Sequence, residues 1–134
     1  MWSADRVMLG LAGLGLASLL TLSAAPAPDT IAVHLSNFAF MPNQLRLRAS
    51  VPVRLHIVND STGGHNFSAP LLFSASAFPE GAPPTDGKVE VGPKSSVDIV
   101  FVPRVPGTYK AECTHFLHSL FGMTGEIIVE PPPP

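Results

Sequence analysis

The chain has 134 residues, with eight Lys and Arg against ten Asp and Glu, giving a formal net charge of −2. A hydrophobic content of 46% excludes a disordered chain, and the length suits one domain rather than two. No basic stripe is present, so nucleic acid is not an expected partner.

The chain opens on a short polar stretch ending at Arg6. Residues 7–22 are apolar or small and carry no charge, and Ser23, Ala24, Ala25, Pro26 and Ala27 follow. This is the layout of a secretory signal, so residues 1–27 are expected to be a signal peptide. The alternative is an uncleaved anchor, for which the apolar run is short of the roughly 20 residues that span a bilayer. A membrane is a partner only in that second case. Either way, the domain expected over residues 28–130 lies outside the cytoplasm, in a periplasmic or similar compartment.

Short alternating segments follow. Ile31, Val33 and Leu35 alternate with Ala32, His34 and Ser36. Leu45 and Leu47 come next, then Val53, Leu55 and Ile57, then Val89 and Val91, then Val97, Ile99 and Phe101. Tyr109 and Ala111 lead to Cys113, and Ile127 and Val129 close the domain. Period-2 alternation between Pro- and Gly-bearing turns argues half-buried antiparallel strands. Seven or eight of them make an all-β, Greek-key β-sandwich. His34, His56, Arg46, Arg48 and Arg54 fall on polar strand faces and are expected to form one solvated sheet face. Residues 69–87 break the rhythm with four prolines, and one helical turn is expected around Phe73 to Ala77. Pro131 to Pro134 form a tail past the last strand.

Cys113 is the one cysteine, so no intrachain disulfide forms. In an oxidising compartment a lone thiol must be buried or occupied. It opens the stretch Cys113-Thr114-His115-Phe116-Leu117-His118-Ser119-Leu120-Phe121-Gly122-Met123. That stretch lies between two strands and forms a loop at one end of the sandwich. A fold that brings His65 beside the loop would gather two imidazoles, a thiolate and a thioether. Two His and one Cys with a weak axial Met suit copper. Zinc would more often recruit a second Cys, a third His or a carboxylate. On residue chemistry alone, Met123 is either a ligand or a filler of the core.

The segment resembles the copper loop of the cupredoxin family, the plastocyanin and azurin relatives. The pattern C-x4-H-x4-M before Thr124-Gly125-Glu126-Ile127-Ile128-Val129 is similar to small bacterial periplasmic members. Pro106 to Cys113, Val58-Asn59-Asp60 before His65-Asn66-Phe67, and Phe38-x-Phe40-x-Pro42 fit as well. The resemblance implies one copper ion, cycling between Cu(I) and Cu(II), held by His65, Cys113, His118 and Met123. It also implies that Asn66 and Thr114 tie the two ligand loops together and support the cysteine sulfur. His115 does not match the pattern and is expected not to bind the ion. Phe116, Leu117, Leu120 and Phe121 crowd the loop, and those left exposed would form an apolar docking patch.

The expected function is a monomeric one-electron carrier meeting transient redox partners. The alternative is a copper-binding or copper-delivery protein with no electron-transfer role. An enzyme is not expected, since further histidine clusters, paired carboxylates and Ser-His-Asp spacing are missing from the sequence.

Overall fold

Alternating apolar residues become strands here, and turn residues decide where each strand stops. The computed structural model describes residues 19–118 and 120–134. Among them are β1 (Asp29–Ser36), β2 (Ala39–Met41), β3 (Gln44–Arg48), β4 (Val53–Asn59) and β5 (His65–Ser68). A short helix α1 (Pro70–Ser74) follows, then β6 (Ser76–Ala77), β7 (Lys88–Val91), β8 (Ser95–Pro103), β9 (Gly107–Glu112) and β10 (Thr124–Glu130). In β4 the alternation is complete: Val53, Leu55, Ile57 and Asn59 are buried, and the residues between them are half-exposed.

Two five-stranded sheets result, in the orders β2-β1-β4-β8-β6 and β3-β10-β9-β5-β7. Their inner faces enclose Val33, Leu35, Leu55, Ile57, Phe67, Phe101 and Ile127, each no more than 1% exposed. Burying side chains of this size contributes roughly 1.5–3 kcal/mol apiece, as an upper bound.

The structure differs from the sequence reading in four respects. Ten strands are present among the described residues, not seven or eight. The extra strands include β2, of three residues, and β6, of two, which are too short to show alternation. Pairing is mixed, because β1–β4 and β3–β10 run parallel. Alternation reports which face is buried and is blind to direction; β2 and β3 lie between β1 and β4 in the chain and provide the crossover that parallel pairing needs. The helix covers Pro70–Ser74 and not Phe73 to Ala77, because proline is well placed in a first turn, where its missing N–H is no loss. Finally, the polar strand residues divide between two sheets. His34 faces Asp60, and His56 and Arg54 face Asp98, while Arg46 and Arg48 reach Glu130 on the other sheet.

The 69–87 connection plugs the core. Phe73 of α1 packs edge-on against Phe101 at 5.4 Å and lies 6.3 Å from Phe67 and 6.2 Å from Phe78. The Ala69 N–H donates to the Gly87 carbonyl at 3.0 Å, closing the segment. Gly87 has φ +67°, and a Cβ there would stand 2.4 Å from the Pro70 Cα. Only glycine permits that approach.

β1 begins beside the start of β4, with Asp29 opposite Val53, and ends with Leu35 opposite Asn59. Asn59 marks the end of the sandwich where β5 and β10 begin and β9 ends. The chain therefore enters its first strand at the opposite end. Residues 1–18 of the expected leader lie outside the described residues. Leu19, Leu20 and Leu22 are exposed, and no helix among the described residues is long and apolar enough to cross a membrane.

Candidate metal centre

Asn59 prepares the approach to the site from the end of β4. It is a polar residue only 1% exposed, so its amide must find partners inside the protein. Its Nδ2 lies 2.8, 3.0 and 3.1 Å from the carbonyls of Gly63, Val91 and Gly92. Its Oδ1 accepts from the backbone N–H and the hydroxyl of Ser61. These bonds fold the 61–64 turn and deliver His65 to the first position of β5, opposite Val91. The sequence reading missed this role; its one signal was an Asn at the buried parity of an apolar strand.

The second half of the site is the 113–123 loop. The Cys113 N–H donates to the Met123 carbonyl at 3.1 Å, and the Met123 N–H to the His118 carbonyl at 3.0 Å. A further bond from the His118 N–H to the His115 carbonyl tightens the turn. These bonds bring the backbones of Cys113, His118 and Met123 together although nine residues lie between the first and the last. Cys113 and Met123 are both fully buried.

Three donor atoms converge between the two halves. His65 Nδ1 lies 3.1 Å from His118 Nδ1. Cys113 Sγ lies 3.3 Å from His118 Nδ1 and 3.9 Å from His65 Nδ1. Metal bonds of about 2.0–2.3 Å to nitrogen and sulfur, set in a plane at 120°, would put the donors about 3.5–3.8 Å apart. The observed edges of 3.1, 3.3 and 3.9 Å lie within about 0.5 Å of that range, two of them shorter. Burial lowers the pKa of His65, and the neighbouring His118 and His115 lower it further. Both causes favour the neutral ring, the form that ligates metal. Its Nε2 is buried with no hydrogen-bond partner. The ring's contacts with polar atoms are therefore made through Nδ1, toward His118 and Cys113. His65, Cys113 and His118 are a metal-competent group among the described residues, and with Met123 beside them the donor chemistry fits one copper ion.

The residues around the donors form one network. The Asn66 backbone N–H points at Cys113 Sγ, 3.5 Å away. Asn66 Nδ2 donates to Thr114 Oγ1 at 2.8 Å, and the Thr114 N–H donates back to Asn66 Oδ1 at 2.9 Å. Asn66 and Thr114 thus join β5 to the loop. Asn66 Nδ2 also reaches Glu90 Oε1 at 2.8 Å, and His115 Nε2 lies 2.9 Å from Glu90 Oε2. Burial raises the Glu90 pKa, but the bonds from Asn66 and His115 outweigh it and the net shift is down. His115 is not in the donor triangle. Its ring is offset-stacked on His118, with centroids 5.6 Å apart.

One edge of the site opens to solvent through apolar side chains. Phe116 is 87% exposed, Leu120 76% and Phe121 61%, and Leu117 is also exposed. Phe38 stands edge-on to both His118 and Phe121, at 5.2 and 5.5 Å. His118 is the half-buried member of the triangle, against two buried partners.

Residues 9–129 match the family model described as a cupredoxin-like domain. Among solved structures the chain is similar to auracyanin B, at 26% identity and TM-score 0.61, over 81% of this chain and 94% of that one. It shares its fold with the auracyanin of Roseiflexus castenholzii, at 23% identity and TM-score 0.61, over 79% and 100%. The same holds for auracyanin A of Chloroflexus aurantiacus, described as a "blue" copper protein, at 19% identity and TM-score 0.59, over 78% and 100%. No curated protein matches the sequence.

Proposed function

Because the chain belongs to the cupredoxin-like family, we propose that it is an exported blue copper protein that carries one electron at a time. The observation that carries this reading is the triangle of His65 Nδ1, His118 Nδ1 and Cys113 Sγ, buried on two sides and apolar-rimmed on the third. Bound copper would supply a one-electron couple between Cu(I) and Cu(II). His65 and Cys113 are the inner holders, set by buried backbone. Met123 would add its thioether, a weak ligand that tunes potential in sites of this kind. His118, half-exposed, offers the short route between the ion and a partner. A frame of two packed sheets would hold the donors in one arrangement as the ion changes oxidation state.

Phe38, Phe116, Leu120 and Phe121 form the face that a redox partner would cover. A small apolar contact of this kind suits a transient encounter. Export rests on the leader, residues 1–27. It places the lone thiol where copper, not a second cysteine, occupies it.

The visible spectrum of the copper-loaded protein tests the reading. An intense thiolate-to-Cu(II) absorption is expected, and Cys113→Ser should abolish it. A colourless Cu(II) form, unchanged by that substitution, would overturn the electron-carrier reading. A copper-delivery protein would instead favour one oxidation state and hand the ion on.

A further inference from the structure

Glu90 looks unremarkable in sequence. It is an outward residue of β7, between the buried Val89 and Val91. Its cross-strand partner is Asn66, directly opposite on β5. Asn66 is only 1% exposed, although it occupies the face that points away from the core. A buried primary amide has two N–H groups to satisfy. One goes to Thr114 Oγ1 and the other to Glu90 Oε1, each at 2.8 Å. The second carboxylate oxygen, Oε2, faces His115 Nε2 at 2.9 Å.

The two oxygens of one carboxylate thus serve opposite sides of the site. Through Asn66, Glu90 acts on the sulfur side, since the Asn66 backbone N–H points at Cys113 Sγ and its side chain holds Thr114. Through His115, it acts on the imidazole side. The hydrogen bond orients the His115 ring, which lies offset-stacked at 22° on His118. Glu90, Asn66 and Thr114 form a chain of bonds across three separate segments, and His115, bonded to Glu90 and next to Thr114, closes it beside the donor ring. Partners of this kind fix ligand orientation, and their loss typically lowers metal affinity.

We propose that Glu90 is a positioning residue of the metal site, clamping Asn66 with one carboxylate oxygen and His115 with the other. This rests on the copper reading above, but part of its test does not. In the metal-free protein, Glu90→Ala should speed hydrogen exchange at the Thr114 amide, whose acceptor is Asn66 Oδ1. The amides of β4 and β8 should stay as protected as before. In the copper-loaded protein, Glu90→Ala should lower copper affinity about 10–100-fold and shift the thiolate-to-copper band. Glu90→Gln keeps an oxygen for Asn66 and should fall between wild type and Glu90→Ala. It also serves if the alanine variant does not fold.

Exchange rising equally in all strands would mean a general stability role and overturn the proposal. So would an unchanged Thr114 amide, or unchanged affinity and spectrum in both variants. Should the wild-type protein show no blue copper site, the copper reading fails by itself. The exchange comparison would still decide whether Glu90 clamps the two loops.

Discussion

A strand delivers His65, while a loop delivers Cys113, His118 and Met123. β5 is buried at all four positions and paired with β7 along its length. The loop turns on itself, with few partners beyond Asn66 and Glu90, and exposes Phe116, Leu117, Leu120 and Phe121. Leu117 sits at φ +64°, a left-handed conformation that costs a non-glycine residue roughly 1–2 kcal/mol. The strand half is ordered by the fold itself. The loop half keeps strain and apolar exposure, which a fold built for stability alone would remove. Such departures concentrate at functional sites.

Copper loading should narrow this contrast, and it carries the largest expected effect. An ion that binds only the folded state stabilises it by about 4 kcal/mol at a free concentration 1,000 times its dissociation constant. Thermal unfolding of the metal-free and loaded protein measures that gain. Native hydrogen exchange shows where it falls. In the metal-free protein the amides at 114–118 and 120–122 should exchange by local opening, faster than those of His65 to Ser68; loading should raise protection in both and bring the loop toward the strand. Equal protection of the two segments before loading would break the comparison.

Asn59→Ala attacks the strand half without touching a donor. The substitution orphans backbone groups at Ser61, Gly63, Val91 and Gly92, of which those cut off from water are the costly ones. Leaving buried polar groups unpaired costs about 1–3 kcal/mol. The metal-free protein should lose stability of that order in denaturant unfolding, and copper affinity should fall as the 61–64 turn loosens. A variant with normal stability would show that β5 and β7 hold His65 unaided.

The two halves also differed in how legible they were. Cys113, His118 and Met123 stand at a spacing whose chemistry is readable within eleven residues. The strands of four or more residues other than β5 declared themselves by alternation, and so did the buried face of β4; β5 is buried at all four positions and shows no alternation. Asn59 and Glu90 did not, because their partners lie elsewhere in the chain. Asn59 binds carbonyls 32 and 33 residues away, and Glu90 acts across 24 and 25 residues. Alternation marks Glu90 as an ordinary outward residue, and only pairing with β5 gives it Asn66 as a neighbour. The parallel β1–β4 and β3–β10 pairs were hidden for the same reason. Pairing direction belongs to the crossovers, and no single strand carries it.

The smallest effect on stability is expected from the loop's outer face, and that smallness is the point. Phe116 is 87% exposed, so its ring adds little to the core. Phe116→Glu should change unfolding stability by no more than about 0.5 kcal/mol, and the visible spectrum should stay as it was. What should change is the rate at which reduced and oxidised copies exchange an electron, measured by line broadening in NMR. If that exchange brings two apolar site faces together, each copy now presents a negative charge to the other. Association rates among variants of one interface vary over about 1–3 decades, so a loss of roughly tenfold is expected. Raising the salt concentration should recover part of it, because screening weakens exposed like charges. A large loss of stability with an unchanged exchange rate would reverse the assignment. The apolar rim would then be part of the fold's support, and the electron would leave by another face.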